Sequence, residues 1–97
     1  EIQGARQVRA KMPDAVTIFI VPPSMSDLRR RLEGRGTDLP EVIDARIRRA
    51  AEEIREADFY DYLIVNEDLN QAAEEFRAII TAEHCRFDPE LAKKISA

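Results

Sequence analysis

The chain has 97 residues, 44% apolar and 35% charged, with a formal net charge of −4 and one cysteine. That balance excludes a disordered segment, and no apolar run is long enough to cross a bilayer, so the composition describes one small soluble domain or part of a larger one. Cys85 has no second cysteine to pair with, so no oxidising compartment is required and a cytoplasmic location is expected.

The sequence opens on Glu1 and runs at once into a helical pattern, which creates the expectation of further sequence upstream. Ile2, Ala5, Val8 and Met12 recur at spacings of three and four, predicting an amphipathic helix that Pro13 ends. Thr17–Val21, TIFIV, is β-branched and aromatic without polar alternation. It reads as a strand buried on both faces. After Pro22-Pro23, the run Ser24-Met25-Ser26-Asp27 places a hydroxyl cap before an acidic third residue. A short helix over about residues 25–32 is expected, ended by Gly34 and Gly36. Pro40 suits the first turn of a longer helix, roughly 40–57, with Ile43, Ile47, Ala50, Ile54 and Ala57 as its apolar stripe. Tyr62–Asn66, YLIVN, is a second short strand. Asp68 is placed to cap a last long helix whose buried face is Leu69, Ala72, Ala73, Phe76, Ile79 and Ile80. The tail FDPELAKKISA predicts one more short helix with Pro89 in its first turn.

Strands alternating with helices imply an α/β fold with parallel pairing. Two strands make a poor sheet alone, since parallel strands need neighbours and cover on both faces. The expectation is therefore the C-terminal part of a larger α/β domain, with an exposed sheet edge through which the fragment would self-associate.

Residues 29–50 hold seven arginines against four carboxylates, a local charge of +3 in an acidic chain. One explanation is a solvated helix face with local ion pairs, such as Arg31 or Arg48 with nearby carboxylates. The other is an anion site. A guanidinium presents a planar fork of donors that matches phosphate oxygens, and Arg31, Arg35 and Arg46 flank a glycine-bearing turn able to act as a hinge. Arginines carried by such a flap suit phosphoryl transfer, where catalysis is mostly positioning and charge stabilisation. The four interleaved carboxylates and the scarcity of nearby aromatics argue against nucleic-acid binding. His84 and Cys85 are adjacent and therefore diverge on a helix, and no second pair stands at zinc-ligand spacing.

Five stretches carry a resemblance: EIQGARQV at the start, the strand ending in PPS at Val21–Ser24, RLEGRGTD at Arg31–Asp38, EVIDARI at Glu41–Ile47 and YDYLIVNEDL at Tyr60–Leu69. Together, in order and spacing, they resemble the C-terminal half of guanylate kinase. The resemblance implies the C-terminal part of a P-loop nucleoside monophosphate kinase fold, with parallel strands covered by helices. It divides the chain into core (residues 1–29), lid (30–47) and core again (48–97). It implies transfer of the ATP γ-phosphoryl group to GMP with Mg²⁺, and neither nucleic-acid nor membrane partners. Arg31 and Arg35 match lid arginines that approach the ATP phosphates. Arg46 matches the arginine that bridges toward the phosphates of both nucleotides. Asn66 matches the adenine-contacting position, and Glu1 the acidic residue close to the guanine, where aspartate is common. No G-x-x-x-x-G-K-[ST] occurs in these 97 residues. The chain alone is accordingly expected to be inactive, with most of the Mg²⁺–ATP site and the GMP-binding domain supplied from elsewhere. The alternative is a non-catalytic guanylate-kinase-like module that binds protein partners.

Overall fold

A computed structural model describes residues 2–97. The elements are α1 (Ile2–Lys11), β1 (Ile18–Val21), α2 (Met25–Arg35), α3 (Pro40–Glu56), a 3₁₀ turn at Ala57–Phe59, β2 (Tyr62–Val65), α4 (Leu69–His84) and α5 (Pro89–Ser96). β1 and β2 pair in parallel, Ile18 opposite Tyr62 and Val21 opposite Val65. Parallel pairing follows from the connection, because α2 and α3 supply the long crossover that such strands require.

The helix starts follow local chemistry. Ser24 adopts an extended backbone and its side chain accepts from the Asp27 N–H, while its hydroxyl donates to the Asp27 carboxylate at 3.0 Å. Asp68 and Asp88 cap α4 and α5 in the same way. Pro40 stands in the first turn of α3, whose capping residue Leu39 makes no side-chain bond.

Gly34 does not end α2. It lies within the helix, which runs on to Arg35 and exits at Gly36. Gly36 has φ 66°, a left-handed conformation that costs glycine nothing, and its N–H donates to the Glu33 carbonyl.

The strands are not buried on both faces. Ile64 is 2% exposed and Val21 7%, but Ile20, Leu63 and Val65 are exposed. Cover is uneven: α4 packs on β2, and no further strand joins the pair among the described residues. The α4 face is narrower than its apolar pattern predicts. Ala72, Ala73 and Ile79 turn inward, whereas Leu69, Phe76 and Ile80 are exposed. On α1 the inward positions are Ile2, Ala5 and Arg9, while Val8 and Met12 face out. A polar network draws Arg9 inward and rotates the expected stripe.

The Cα radius of gyration is 17.9 Å and the extents are 64 × 30 × 19 Å. A closed domain of this length has a radius near ~13 Å, so these residues form an elongated body with a thin core.

Candidate functional site

The arginine-rich segment forms a helical hairpin, α2–turn–α3. Each helix buries one side chain completely enough to anchor it, Leu32 on α2 and Ile43 on α3. Arg29 on α2 and Asp44 on α3 close an ion pair at 2.8 Å that ties the two helices together. Local pairs join Arg30 to Asp27 and Arg49 to Glu53. Among the described residues the ion pairs expected for Arg31 or Arg48 do not form, so helix-face pairing there does not engage those two guanidiniums.

Because α2 extends to Arg35, Arg31 and Arg35 are separated by one helical turn and share a face. Arg31 reaches across 35 residues of sequence and donates from Nη2 to the Asn66 carbonyl at 2.9 Å. Asn66 is held from the other side too, since its N–H donates to the Val21 carbonyl at 2.7 Å. Residues 21, 31 and 66 thus meet where both parallel strands end. Ligands of open α/β sheets bind at the carboxyl ends of the strands. The Asn66 side chain makes no hydrogen bond among the described residues, so its amide is available to a ligand.

Arg46 is held differently. Its Nε lies 3.7 Å from Asp38 Oδ2, too long for a hydrogen bond but close enough for a charge contact. That oxygen is sealed from solvent and has no hydrogen-bond partner. Arg35 has no ion-pair partner among the described residues. The structure therefore brings Arg31 and Asn66 together, seats Arg46 on Asp38 and leaves Arg35 open. The expected role of Glu1 lies outside the described residues.

A second polar cluster, which periodicity did not reveal, fixes the frame behind the hairpin. Asp61 Oδ2 accepts from Arg9 Nη2 at 2.7 Å, from the Thr17 N–H at 2.9 Å and from the Thr17 hydroxyl at 3.1 Å. The same Arg9 nitrogen lies 2.8 Å from Thr17 Oγ1 and 3.3 Å from the Phe59 carbonyl. The Thr17 N–H, followed by Arg9, holds the Asp61 carboxyl below the usual carboxylate range. Beside it, the Tyr62 hydroxyl donates to Glu83, which also pairs with Arg86. Arg86 and then Tyr62 lower the Glu83 carboxyl, and Glu83 in turn raises the Tyr62 phenol. The only sequence cue to these residues was a carboxylate set immediately before an apolar strand.

Among the described residues no cluster of three or more His, Cys, Asp or Glu side chains is arranged to hold a metal ion. No helix of the described residues is long and apolar enough to cross a membrane.

The family model described as guanylate kinase matches residues 1–83. The chain is 58% identical over 86 residues to a guanylate kinase of Syntrophotalea carbinolica, covering 89% of the chain and 41% of that protein. It is 54% identical over 86 residues to one of Geobacter sulfurreducens, covering 89% of the chain and 42% of the relative. A crystal structure of guanylate kinase from Anaplasma phagocytophilum superposes with a TM-score of 0.66 at 41% identity, over 84% of this chain and 37% of that one. The chain thus spans well under half the length of the relatives it matches.

Proposed function

The chain belongs to the guanylate kinase family, and on that premise we propose that the full-length protein transfers the γ-phosphoryl group of ATP to GMP, giving ADP and GDP. In this reading residues 30–47, the tip-side part of the α2–α3 hairpin, are the lid. Residues 1–29 and 48–97 belong to the core.

The observation that carries the proposal is the contact between Arg31 and Asn66 at the carboxyl ends of the strands. It brings a guanidinium to the strand ends beside Asn66, which supports reading this region as an ATP site. Arg31 and Arg35, one turn apart, hold the ATP phosphates. Arg46, from the other limb of the hairpin, lies across the transferred group and neutralises the charge that spreads over its oxygens. Glu1 is assigned to the guanine side of the site. Arginine suits these roles because its fork gives two parallel charge-assisted bonds to a phosphate, each worth about 1.5–3 kcal/mol.

Mg²⁺ supplies charge neutralisation when it arrives with ATP. The side chains described here offer it no ligand set, so no step is assigned to it through them. These 97 residues also contain no phosphate-cradling glycine loop, and the chain by itself is proposed to be inactive.

The test is steady-state transfer from ATP to GMP by the full-length protein, with Arg31→Ala beside the parent. Measurable transfer to GMP, and loss of about tenfold or more in kcat/KM for ATP on removing one charged phosphate contact, support the reading. A full-length protein that binds neither nucleotide supports the interaction module instead.

A further inference from the structure

Asp38 occupies a position that the phosphate-binding reading of the arginines does not use. It stands in the turn just ahead of α3, and Arg46 lies in the second turn of that helix. Side chains on a helix sweep back toward its N-terminus, so the long Arg46 side chain folds toward the turn and meets Asp38. Their contact has three notable features. Its closest approach is through Nε. It is long, at 3.7 Å. And Asp38 Oδ2 is excluded from solvent without any hydrogen bond.

A buried carboxylate oxygen without a donor is costly to keep, which gives this contact a reason beyond packing. The closest approach is through Nε, and neither Nη1 nor Nη2 makes a hydrogen bond among the described residues. Those two nitrogens are the ones that approach a phosphate side by side. We propose that Asp38 is a positioning residue for Arg46: it grips the Nε edge of the guanidinium and fixes the direction in which the two terminal nitrogens reach the transferred phosphate. Shortening of the contact as the phosphate draws Arg46 into register supplies the missing donor to Oδ2. This inference rests on the proposed role of Arg46 in phosphoryl transfer.

The experiment is a double-mutant cycle on the full-length protein, with kcat and both KM values measured for Asp38→Asn, Arg46→Ala and the pair. Asn keeps the shape and removes the charge. The expected result is a fall in kcat of about tenfold for Asp38→Asn with both KM values held within about twofold, since misdirection of a group costs rate more than affinity. In the Arg46→Ala background the same substitution changes kcat by less than about twofold, and Asp38→Glu recovers most of the lost rate. A structural role for Asp38 would instead lower activity by the same factor in both backgrounds, and that result overturns the proposal. A large loss for Arg46→Ala with no change for Asp38→Asn overturns the link to Asp38 and leaves the role of Arg46 intact. An unchanged kcat for Arg46→Ala itself removes both.

Discussion

Two arginines show how differently this chain uses the same side chain. Arg9 lies half-buried on α1, and one of its nitrogens contacts Thr17, Phe59 and Asp61 at 2.7–3.3 Å. That nitrogen carries two hydrogens, so at least one is shared among three acceptors. Arg46 lies exposed on α3 with one charge contact at 3.7 Å. The first is engaged through that one nitrogen, while its buried Nε finds no partner among the described residues, and its work is to lock α1 to the start of both strands. The second is under-used, with its terminal nitrogens open. The acceptors a guanidinium meets within the fold, more than its position on a helix, separate a structural arginine from one held ready for an anion.

The contrast predicts opposite outcomes when each is removed. The largest effect is expected for Arg46→Ala, a fall in kcat of ~10³-fold or more with an unchanged melting temperature. Equal loss of stability and rate would erase the distinction. Next, Ile64→Ala empties the most deeply buried side chain and should destabilise by about 3 kcal/mol, read as a lower urea midpoint. Arg9→Ala should follow at about 1 kcal/mol, because it removes a part-exposed charge pair while Asp61 keeps its Thr17 donors, and KM for ATP stays as it was. Kinetic damage without destabilisation would reverse the assignment of Arg9.

The smallest effect concerns acid. Asp61 and Glu83 have carboxyls held below the usual carboxylate range in the fold. Each therefore contributes stability that is fully present above about pH 5 and is lost as pH falls through about 4 and below, where the unfolded chain takes up the proton first. Between about pH 6 and 3 the urea midpoint of the parent should fall more than that of Asp61→Asn. Parallel slopes would show that Asp61 is not held in its charged form by Thr17 and Arg9.

Sheet edges give a further contrast, between the covered and open sides of the strand pair. With Ile20, Leu63 and Val65 exposed and one unpaired edge on each strand, the 97-residue chain should self-associate. Light scattering at high concentration is expected to show more than a monomer.

The order of elements was legible from proline placement, caps and apolar runs, because those are local rules. Parallel pairing was legible from the alternation of strand and helix. Burial was not. The pattern in α1 pointed to Val8 and Met12, but Arg9 was pulled inward by Asp61, fifty-two residues away, and no local period encodes such a pair. Gly34 was read as a helix stop, yet the backbone closes only where a positive φ is required, at Gly36. The site showed a similar division. The arginines stood out by their density, whereas the Arg31–Asn66 contact depends on tertiary reach, and Asp38 came forward only through the burial of its carboxylate oxygen.

The account turns on whether the hairpin arginines exist to hold phosphate. The most direct measurement is a structure of the full-length protein with GMP and a non-hydrolysable ATP analogue bound. It should place terminal nitrogens of Arg31 and Arg46 within ~3 Å of phosphate oxygens, with Asp38 still on Nε of Arg46. A shut hairpin that leaves Arg31, Arg35 and Arg46 all in solvent would contradict it.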